Sequence, residues 1–214
     1  MPGLAPFAFA VRSDRDLLIM DTRADTYALI VDAIDDGSPP SPAAPLDMNV
    51  TTTAANMLAD AGLLVEGHAI RLSALDPPRT RFVAETIRPF PPTSRDIADL
   101  AICMFRTQLR SKRGLPCRAY RRTRSEIPAD PRRLEPALRG IIAARIILPT
   151  PMRCLPRSII MSLFLRRRGI HSEIVFGVRS HPFAAHCWVE AGGALIDDDP
   201  DRVGAYHPIC VAEA

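Results

Sequence analysis

Lysine is nearly absent from this sequence, which contains a single lysine, Lys112, among 27 basic residues. Abundant alanine and proline accompany the arginines, so we attribute the lysine shortage to genomic base composition rather than to an arginine-specific function. Aromatic residues make up only 6% of the 214 residues, so aliphatic side chains must build most of the core. The hydrophobic fraction of 47% excludes global disorder, and the length fits one ordinary domain or two small ones.

Closely spaced cysteines and long apolar segments are also missing. The five cysteines are widely spaced and form no CxxC pair, which argues against a disulfide scaffold and against a thiolate zinc site. The longest apolar run, residues 159–165, is interrupted by Ser162 and is too short to span a bilayer. No basic segment precedes the apolar residues 4–11, as a signal peptide would require. We therefore expect a cytoplasmic protein that does not bind membranes.

The charge is unevenly distributed along the chain. Residues 1–75 carry a net charge of −6 and residues 76–214 a net charge of +9, which indicates two units with different surfaces. Five prolines lie within residues 76–92, as is typical of a linker. The predicted organisation is a small domain over residues 1–75, a proline-rich linker over 76–92 and a second domain over 93–214.

The first unit combines strand and helix patterns. Apolar residues within 7–30 indicate a small antiparallel meander, and residues 31–36 are predicted as a short helix. The proline-rich residues 38–45 indicate a loop. Thr51, Thr52 and Thr53 are candidate N-caps for a helix that Gly62 ends, and residues 63–65 and 69–72 are predicted to form a last hairpin. This arrangement is close to a winged helix.

The second unit contains the residues that suggest chemistry. One helix is predicted to start at Ser94 and a second to span residues 134–147. A third is predicted over residues 158–168, and one side of this third helix is apolar. Cys154 lies at or just before the N-terminus of the third helix, where the partial positive charge of the helix lowers the pKa of a thiol. Strands are predicted over residues 173–178, 183–190 and 194–196.

A Cys–His–Asp triad is the chemistry that these residues favour. In a cysteine peptidase the thiol attacks an amide carbonyl, a histidine transfers the proton and an aspartate orients the histidine. Cys154 and His186 supply the first two groups. A three-residue turn at 191–193 would place Asp198 opposite His186, whereas a two-residue turn at Gly192-Gly193 would place Asp199 there. The residues alone leave both registers open.

Five motifs carry a resemblance to a known family: CLPRS (154–158), LRRRGI (165–170), FGV (176–178), PFAAHCWVE (182–190) and DDPDRV (198–203). They are similar to motifs of the leader peptidases of lasso peptide biosynthesis, the B proteins, within the papain and transglutaminase superfamily. The resemblance implies an α+β fold, with a winged-helix-like recognition domain followed by a transglutaminase/papain-like cysteine protease domain. It implies the triad Cys154, His186 and Asp198 and no cofactor. Asp197 and Cys187 stand where that family usually has Asn and Ala.

The resemblance also suggests a role for the first unit. Many lasso B proteins carry a fused element similar to the chaperone of pyrroloquinoline quinone biosynthesis, which binds the precursor's leader as an added strand. The resemblance implies that the edge of residues 26–30 and one helix face hold the leader. The candidate leader-binding residues are Thr26, Tyr27, Ala28, Leu29, Ile30, Met57, Leu58 and Ala61. The implied partners are a lasso precursor peptide and an asparagine-synthetase-like cyclase.

Several alternatives remain beside this interpretation. The basic residues 104–145 could form a nucleic-acid surface, but a solvated face or a dock for the precursor or partner enzyme is favoured, and no nucleic acid is expected. His181 and His186 with a cysteine could bind a metal, but nothing in the sequence supports a complete site, so none is expected. The same triad could serve an acyltransferase such as a transglutaminase. A leader-binding scaffold with an idle triad is the non-enzymatic alternative.

Overall fold

The structure is a computed structural model that describes residues 2–35, 50–66, 72–73, 75, 80–81, 91–111, 117–125, 127–151, 153–196 and 198–214. The described strands are β1 (Pro2–Leu4), β2 (Ala8–Ser13), β3 (Asp16–Asp21), β4 (Thr26–Ile30), β5 (Leu64–Glu66), β6 (Thr80–Arg81), β7 (Arg118–Arg121), β8 (Glu173–Arg179), β9 (Ala184–Ala191), β10 (Ala194–Ile196) and β11 (His207–Glu213). The described helices are α1 (Thr52–Asp60), α2 (Ser94–Ser111), α3 (Pro131–Ile147), α4 (Cys154–Arg167) and α5 (Pro200–Gly204). The predicted loop at 38–45, most of the predicted linker and Asp197 lie outside the described residues.

Strands β2, β3 and β4 form an antiparallel three-stranded sheet, which confirms the predicted meander. Neighbouring residues of a strand point to opposite faces, and both faces of this sheet are covered. One face packs in the large core of the chain and the other packs against α1. The first face carries Phe9, Val11, Leu18 and Met20, and the second carries Ala8, Ala10, Leu17 and Ile19.

Helix α1 confirms the predicted cap and end. The hydroxyl of Thr51 accepts a hydrogen bond from the backbone N–H of Ala54 at 3.3 Å, which satisfies one of the free donors at the helix start. Gly62 follows the helix with a φ of +66°, the left-handed conformation that glycine adopts without a steric penalty. The buried residues Ala54 and Leu58 attach the helix to the sheet.

One prediction in this region is wrong. The described part of residues 31–36 is not helical: Asp32 has a φ of +50°, which a right-handed helix does not allow, and Ile34 forms a bridge with Val50. Strand β5 lies antiparallel to β1, whereas most of the second strand of the predicted last hairpin, residues 69–72, lies outside the described residues. The pairing of β1 with β5 joins segments that are distant in sequence, so local turn patterns do not reveal it.

The remaining strands form a six-stranded sheet in the order β6-β10-β9-β8-β11-β7. All its pairs are antiparallel except β6 with β10. Helix α4 crosses against this sheet beneath α2 and α3, and its residues 158–165 are all buried. The sequence predicts that only one side of this helix is buried, whereas α4 is enclosed on every side along this stretch.

Polar contacts fix the start of α2 against the end of α4. Thr93 caps α2, one residue before the predicted cap at Ser94, through reciprocal hydrogen bonds with Asp96. Asp96 also accepts a hydrogen bond from Arg168 at 2.7 Å, and Asp99 accepts one from Arg167 at 2.7 Å. The arginines of the LRRRGI motif thus join the end of α4 to the start of α2.

The three-stranded sheet also contacts the six-stranded sheet directly. The thiol of Cys210 lies 3.5 Å from the sulfur of Met20, and the hydroxyls of Ser13 and Ser180 lie 3.1 Å apart. Arg122 donates to the backbone carbonyl of Ala8 at 2.6 Å. One core therefore runs through both predicted units, while the boundaries 1–75, 76–92 and 93–214 stay a prediction.

The fold mixes helices and strands, as the sequence predicts. The described part of residues 1–75 contains one helix, α1, and the winged-helix assignment stays a prediction. Within the described ranges, every helix is too short or too polar to serve as a membrane span.

Candidate active site

Cys154 is the first residue of α4, where the sequence predicts a helix start. Its thiol is partly exposed and faces the middle of β9. Hydrogen bonds with the side chains of Cys187 and His186 stabilise the thiolate and lower the pKa of Cys154 to about 4, although burial acts in the opposite direction. The backbone N–H of Cys187 adds a further hydrogen bond. Cys154 is therefore a thiolate at neutral pH.

His186 lies on β9 and contacts Asp198 beyond the end of β10. Its Nε2 lies 2.8 Å from Oδ2 of Asp198, which leaves Nδ1 as the ring nitrogen for the thiol. The turn at Gly192-Gly193 has two residues, since Ala191 pairs with Ala194, and both glycines have positive φ. The three-residue register is therefore wrong, and Asp198 reaches His186 from the segment after β10 and not through strand pairing.

The charges of this group stabilise one another. The hydrogen bond with Asp198, followed by that with Cys154, raises the pKa of His186 to about 9 against the effect of burial. Burial tends to raise the pKa of Asp198, but the hydrogen bonds from His186 and from the Asp199 backbone outweigh it and lower that pKa. The result at neutral pH is a thiolate beside an imidazolium that a carboxylate holds.

Aromatic rings surround His186 on the same side of the sheet. The ring of Tyr206 lies 5.4 Å and that of Trp188 6.2 Å from the His186 ring. Trp188 is fully buried, and its N–H donates to Glu190 at 2.8 Å. Gly177 pairs with His186 across β8 and β9, and a Cβ at Gly177 would lie 2.6 Å from the Trp188 ring. The absence of a side chain at Gly177 therefore makes room for Trp188.

The buried Glu190 is itself held by an arginine from the basic stretch. Arg124 donates to both carboxylate oxygens of Glu190, at 2.6 and 3.0 Å, and Arg121 pairs with the buried Glu173 at 2.5 Å. At least part of the basic stretch thus neutralises buried carboxylates below the candidate site.

A small, solvent-open pocket of about 40 Å³ lies over the thiol. Cys154, His186 and Asp198 line it together with two cationic side chains, Arg157 and Arg202. In the part of the chain that the structure describes, no group of three or more His, Cys, Asp or Glu side chains is arranged to hold a metal ion. The arrangement is that of a nucleophile, an acid–base group and an orienting carboxylate around a substrate-accessible cleft.

The candidate leader-binding residues lie in two places. Thr26, Tyr27, Ala28, Leu29 and Ile30 form β4, which pairs with β3 on one side and with no other strand among the described residues. Met57 on α1 and Ala61, which directly follows the helix, are exposed. Leu58 is only 1% exposed and packs under the sheet, so it contributes to the core of the unit.

Three residues of the site were not identified from the sequence. Tyr206 approaches His186 because β11 lies beside β8, a pairing between distant segments that no local pattern reveals. Cys187 lies in the buried core, but its thiol also contacts Cys154. Gly177 did carry a signal, since a glycine within a strand often marks a close approach of another group.

Comparisons with known proteins identify relatives of this chain. A profile of the transglutaminase-like superfamily matches residues 100–211, just over half of the chain. A segment of 48 residues is 44% identical to the microcin J25-processing protein McjB of Escherichia coli and covers 22% of this chain and 23% of that protein. The chain thus spans less than a quarter of this relative in the match. No solved structure matches.

Two conclusions follow from these matches. The resemblance to lasso peptide biosynthesis B proteins, which the sequence motifs indicate, is confirmed. Because the superfamily profile covers more than half of its residues, the chain belongs to the transglutaminase-like superfamily.

Proposed function

We propose that this protein is a cysteine peptidase that removes the leader from a ribosomally made lasso precursor before a partner enzyme closes the macrolactam. The observation that carries the proposal is the grouping of Cys154, His186 and Asp198 around one open pocket, with the hydrogen bonds that favour a thiolate and an imidazolium. The microcin-processing relative supports a substrate of this class.

The proposed reaction uses each charge of the site. The Cys154 thiolate attacks the scissile carbonyl, and the oxyanion forms beside the N-terminus of α4, where the Cys154 N–H is a candidate donor. His186 gives its proton to the leaving amine, which becomes the new N-terminus of the core peptide. Water then attacks the thioester while His186 accepts a proton, and the leader leaves with a free carboxylate. Asp198 orients the imidazole through both steps.

The leader is proposed to bind along β4. Backbone hydrogen bonds to a free strand edge provide affinity for an extended peptide, and neighbouring side chains provide selectivity. The exposed Met57 and Ala61 would line this path, whereas the buried Leu58 would support it from below. Tyr27 and Leu29 pack against the same core as Cys154 and Leu155, so this strand is connected to the site through packed side chains.

The step after leader removal is proposed to be closure of the macrolactam by a partner enzyme. The amine released by cleavage would be used by an asparagine-synthetase-like cyclase that activates a carboxylate with ATP. Such chemistry takes place in the cytoplasm, and the peptidase is proposed to act there without a cofactor.

Acyl transfer is the second candidate, and membership of the transglutaminase-like superfamily is the observation that favours it. The same thioester would then be attacked by an amine in place of water. Mass spectrometry separates the two, because hydrolysis leaves a leader acid whereas transfer leaves a leader amide.

The test is incubation of the cognate precursor with the wild-type protein and with Cys154→Ala, each with and without the cyclase. We expect release of an intact leader acid by the wild-type protein only. Equal processing by both proteins would exclude Cys154 as the nucleophile. Retention of the precursor on immobilised protein without cleavage in any reaction would favour the binding scaffold.

A further inference from the structure

The proposed reaction leaves one thiol at the pocket unused. Cys187 lines the pocket beside Cys154, and the side chains of the two cysteines form a hydrogen bond. Both are free thiols. Cys187 is 3% exposed, so solvent reaches the pair through the partly exposed Cys154.

The backbone on both sides of this pair is anchored. Cys154 begins α4 and Cys187 lies within β9, where it pairs with Phe176 of β8. Ser158, one turn into α4, donates a hydrogen bond to the backbone carbonyl of Cys187 at 3.3 Å. The helix start and the strand are therefore held against each other at the position of the two thiols.

We propose that Cys154 and Cys187 form a reversible disulfide when a hydroperoxide reaches the pocket. The disulfide blocks the thiol of Cys154. The inference rests on the proposed function in one respect: the thiol that becomes blocked is the proposed nucleophile. The disulfide itself depends only on the two thiols and their surroundings.

The chemistry balances in two steps with hydrogen peroxide as the oxidant. The Cys154 thiolate attacks one peroxide oxygen, the O–O bond breaks, and Cys154 becomes a sulfenic acid while hydroxide leaves. The Cys187 sulfur then attacks the Cys154 sulfur, the S–O bond breaks, and the proton of Cys187 leaves with the hydroxyl group as water. Two thiols are oxidised and one peroxide is reduced to water and hydroxide, which takes up the proton of the original thiol.

The electrostatics of the pocket assign the two roles. Cys154 is the thiolate and is partly exposed, the properties that direct peroxide to a particular cysteine. The hydrogen bond with Cys154, together with burial, raises the pKa of Cys187 well above its usual range and keeps that thiol protonated. Conversion of Cys154 to a sulfenic acid removes the neighbouring negative charge, so Cys187 becomes the resolving thiol only after the first step.

The test uses the isolated protein and needs no precursor. Reduced wild-type protein is treated with hydrogen peroxide, alkylated and digested after arginine, which yields the peptides 154–157 and 180–202. We expect these two peptides to be cross-linked and to separate on treatment with dithiothreitol, with recovery of alkylation at Cys154. In Cys187→Ala we expect loss of the cross-link and oxidation of Cys154 to a sulfinic acid that dithiothreitol does not reverse.

Two further variants keep the test decisive. Cys103→Ala removes a buried thiol of α2 that lies outside the pocket lining and should behave as the wild-type protein does. Cys187→Ser, which conserves size and polarity, should lose the cross-link even if the alanine variant misfolds. Absence of the cross-link in oxidised wild-type protein, or equal recovery of Cys154 with and without Cys187, would overturn the proposal. Either result would leave the peptidase proposal standing, because no cleavage is measured.

Discussion

Among single residues, the candidate site is a chain of hydrogen-bonded charges from Asp198 through His186 to Cys154. Each group shifts the pKa of its neighbour toward the charged form, and the shifts oppose the effect of burial. A thiolate–imidazolium pair is expected between the pKa of Cys154, about 4, and that of His186, about 9. Activity should therefore rise with pH through the first value and fall through the second.

Asp198→Asn tests the carboxylate end of this chain. The variant removes the carboxylate whose hydrogen bond is the largest cause of the raised pKa of His186. The pKa of His186 should then fall by about 1–2 units, which corresponds to one hydrogen bond to a charged group. In a pH profile of kcat/KM the alkaline limb should move from about 9 to lower pH. An unchanged alkaline limb would show that Asp198 does not hold the imidazolium.

Gly177→Ala tests the aromatic side of the site. The added methyl group would lie 2.6 Å from the Trp188 ring, which has to shift beside His186. We expect a loss of about 1–3 kcal/mol in the free energy of unfolding, as is usual for overpacking, together with lower activity. Gly204→Ala is the matched control, since a Cβ there meets nothing within 4 Å. Equal stability and activity of the two variants in denaturant titrations and cleavage assays would contradict this role.

For helices and strands, local patterns predicted most of what lies close in sequence. The Thr51 cap, the meander and the start of α4 at Cys154 each depend on neighbouring residues, and the structure has all three. Pairings between distant segments could not be predicted. The N-terminal strand β1 pairs with β5. Asp32 has a positive φ and is therefore not helical.

The candidate site divides in the same way. Cys154 could be selected from the helix start and His186 from the strand, whereas the strand register alone would not have selected Asp198. That choice came from the family motif. The position of Tyr206 depends on the pairing of β11 with β8, and the thiol contact of Cys187 depends on how α4 packs against the sheet. The local sequence predicts neither arrangement.

Met57→Gln tests the leader path over β4 and α1. Met57 is 50% exposed, so burial under a bound leader would remove apolar surface from water. We expect about tenfold weaker binding of the full precursor, close to 1.4 kcal/mol, measured by calorimetry. Cleavage of a short peptide that spans only the scissile bond should not change. Ile146→Gln, at an exposed position of α3, is the control, and equal weakening by both variants would exclude a specific leader path.

For the whole molecule, the three-stranded sheet is covered by α1 on one face and by the main core on the other. The main core thus contains side chains from both the acidic and the basic parts of the chain. The contacts of Met20 with Cys210 and of Arg122 with the Ala8 carbonyl connect the three-stranded sheet, which contains the proposed recognition strand β4, to the part of the chain that holds His186.

Met20→Ala tests this shared core. Met20 is fully buried, so its truncation should cost about 2–5 kcal/mol in the free energy of unfolding. Differential scanning calorimetry should show one transition in the wild-type protein, moved as a whole to lower temperature in the variant. Two transitions, of which only the first moves, would instead show that residues 1–75 unfold independently.

The central claim is that Cys154 forms a covalent intermediate with the leader, and rapid acid quenching followed by intact-protein mass spectrometry tests it most directly. Mixing the protein with the cognate precursor should add the mass of the leader as a thioester, and digestion should locate the adduct in residues 154–157. The adduct should be absent in Cys154→Ala and should decay as free leader acid appears. Leader removal at the wild-type rate by Cys154→Ala, or an adduct on any other residue, would contradict the account.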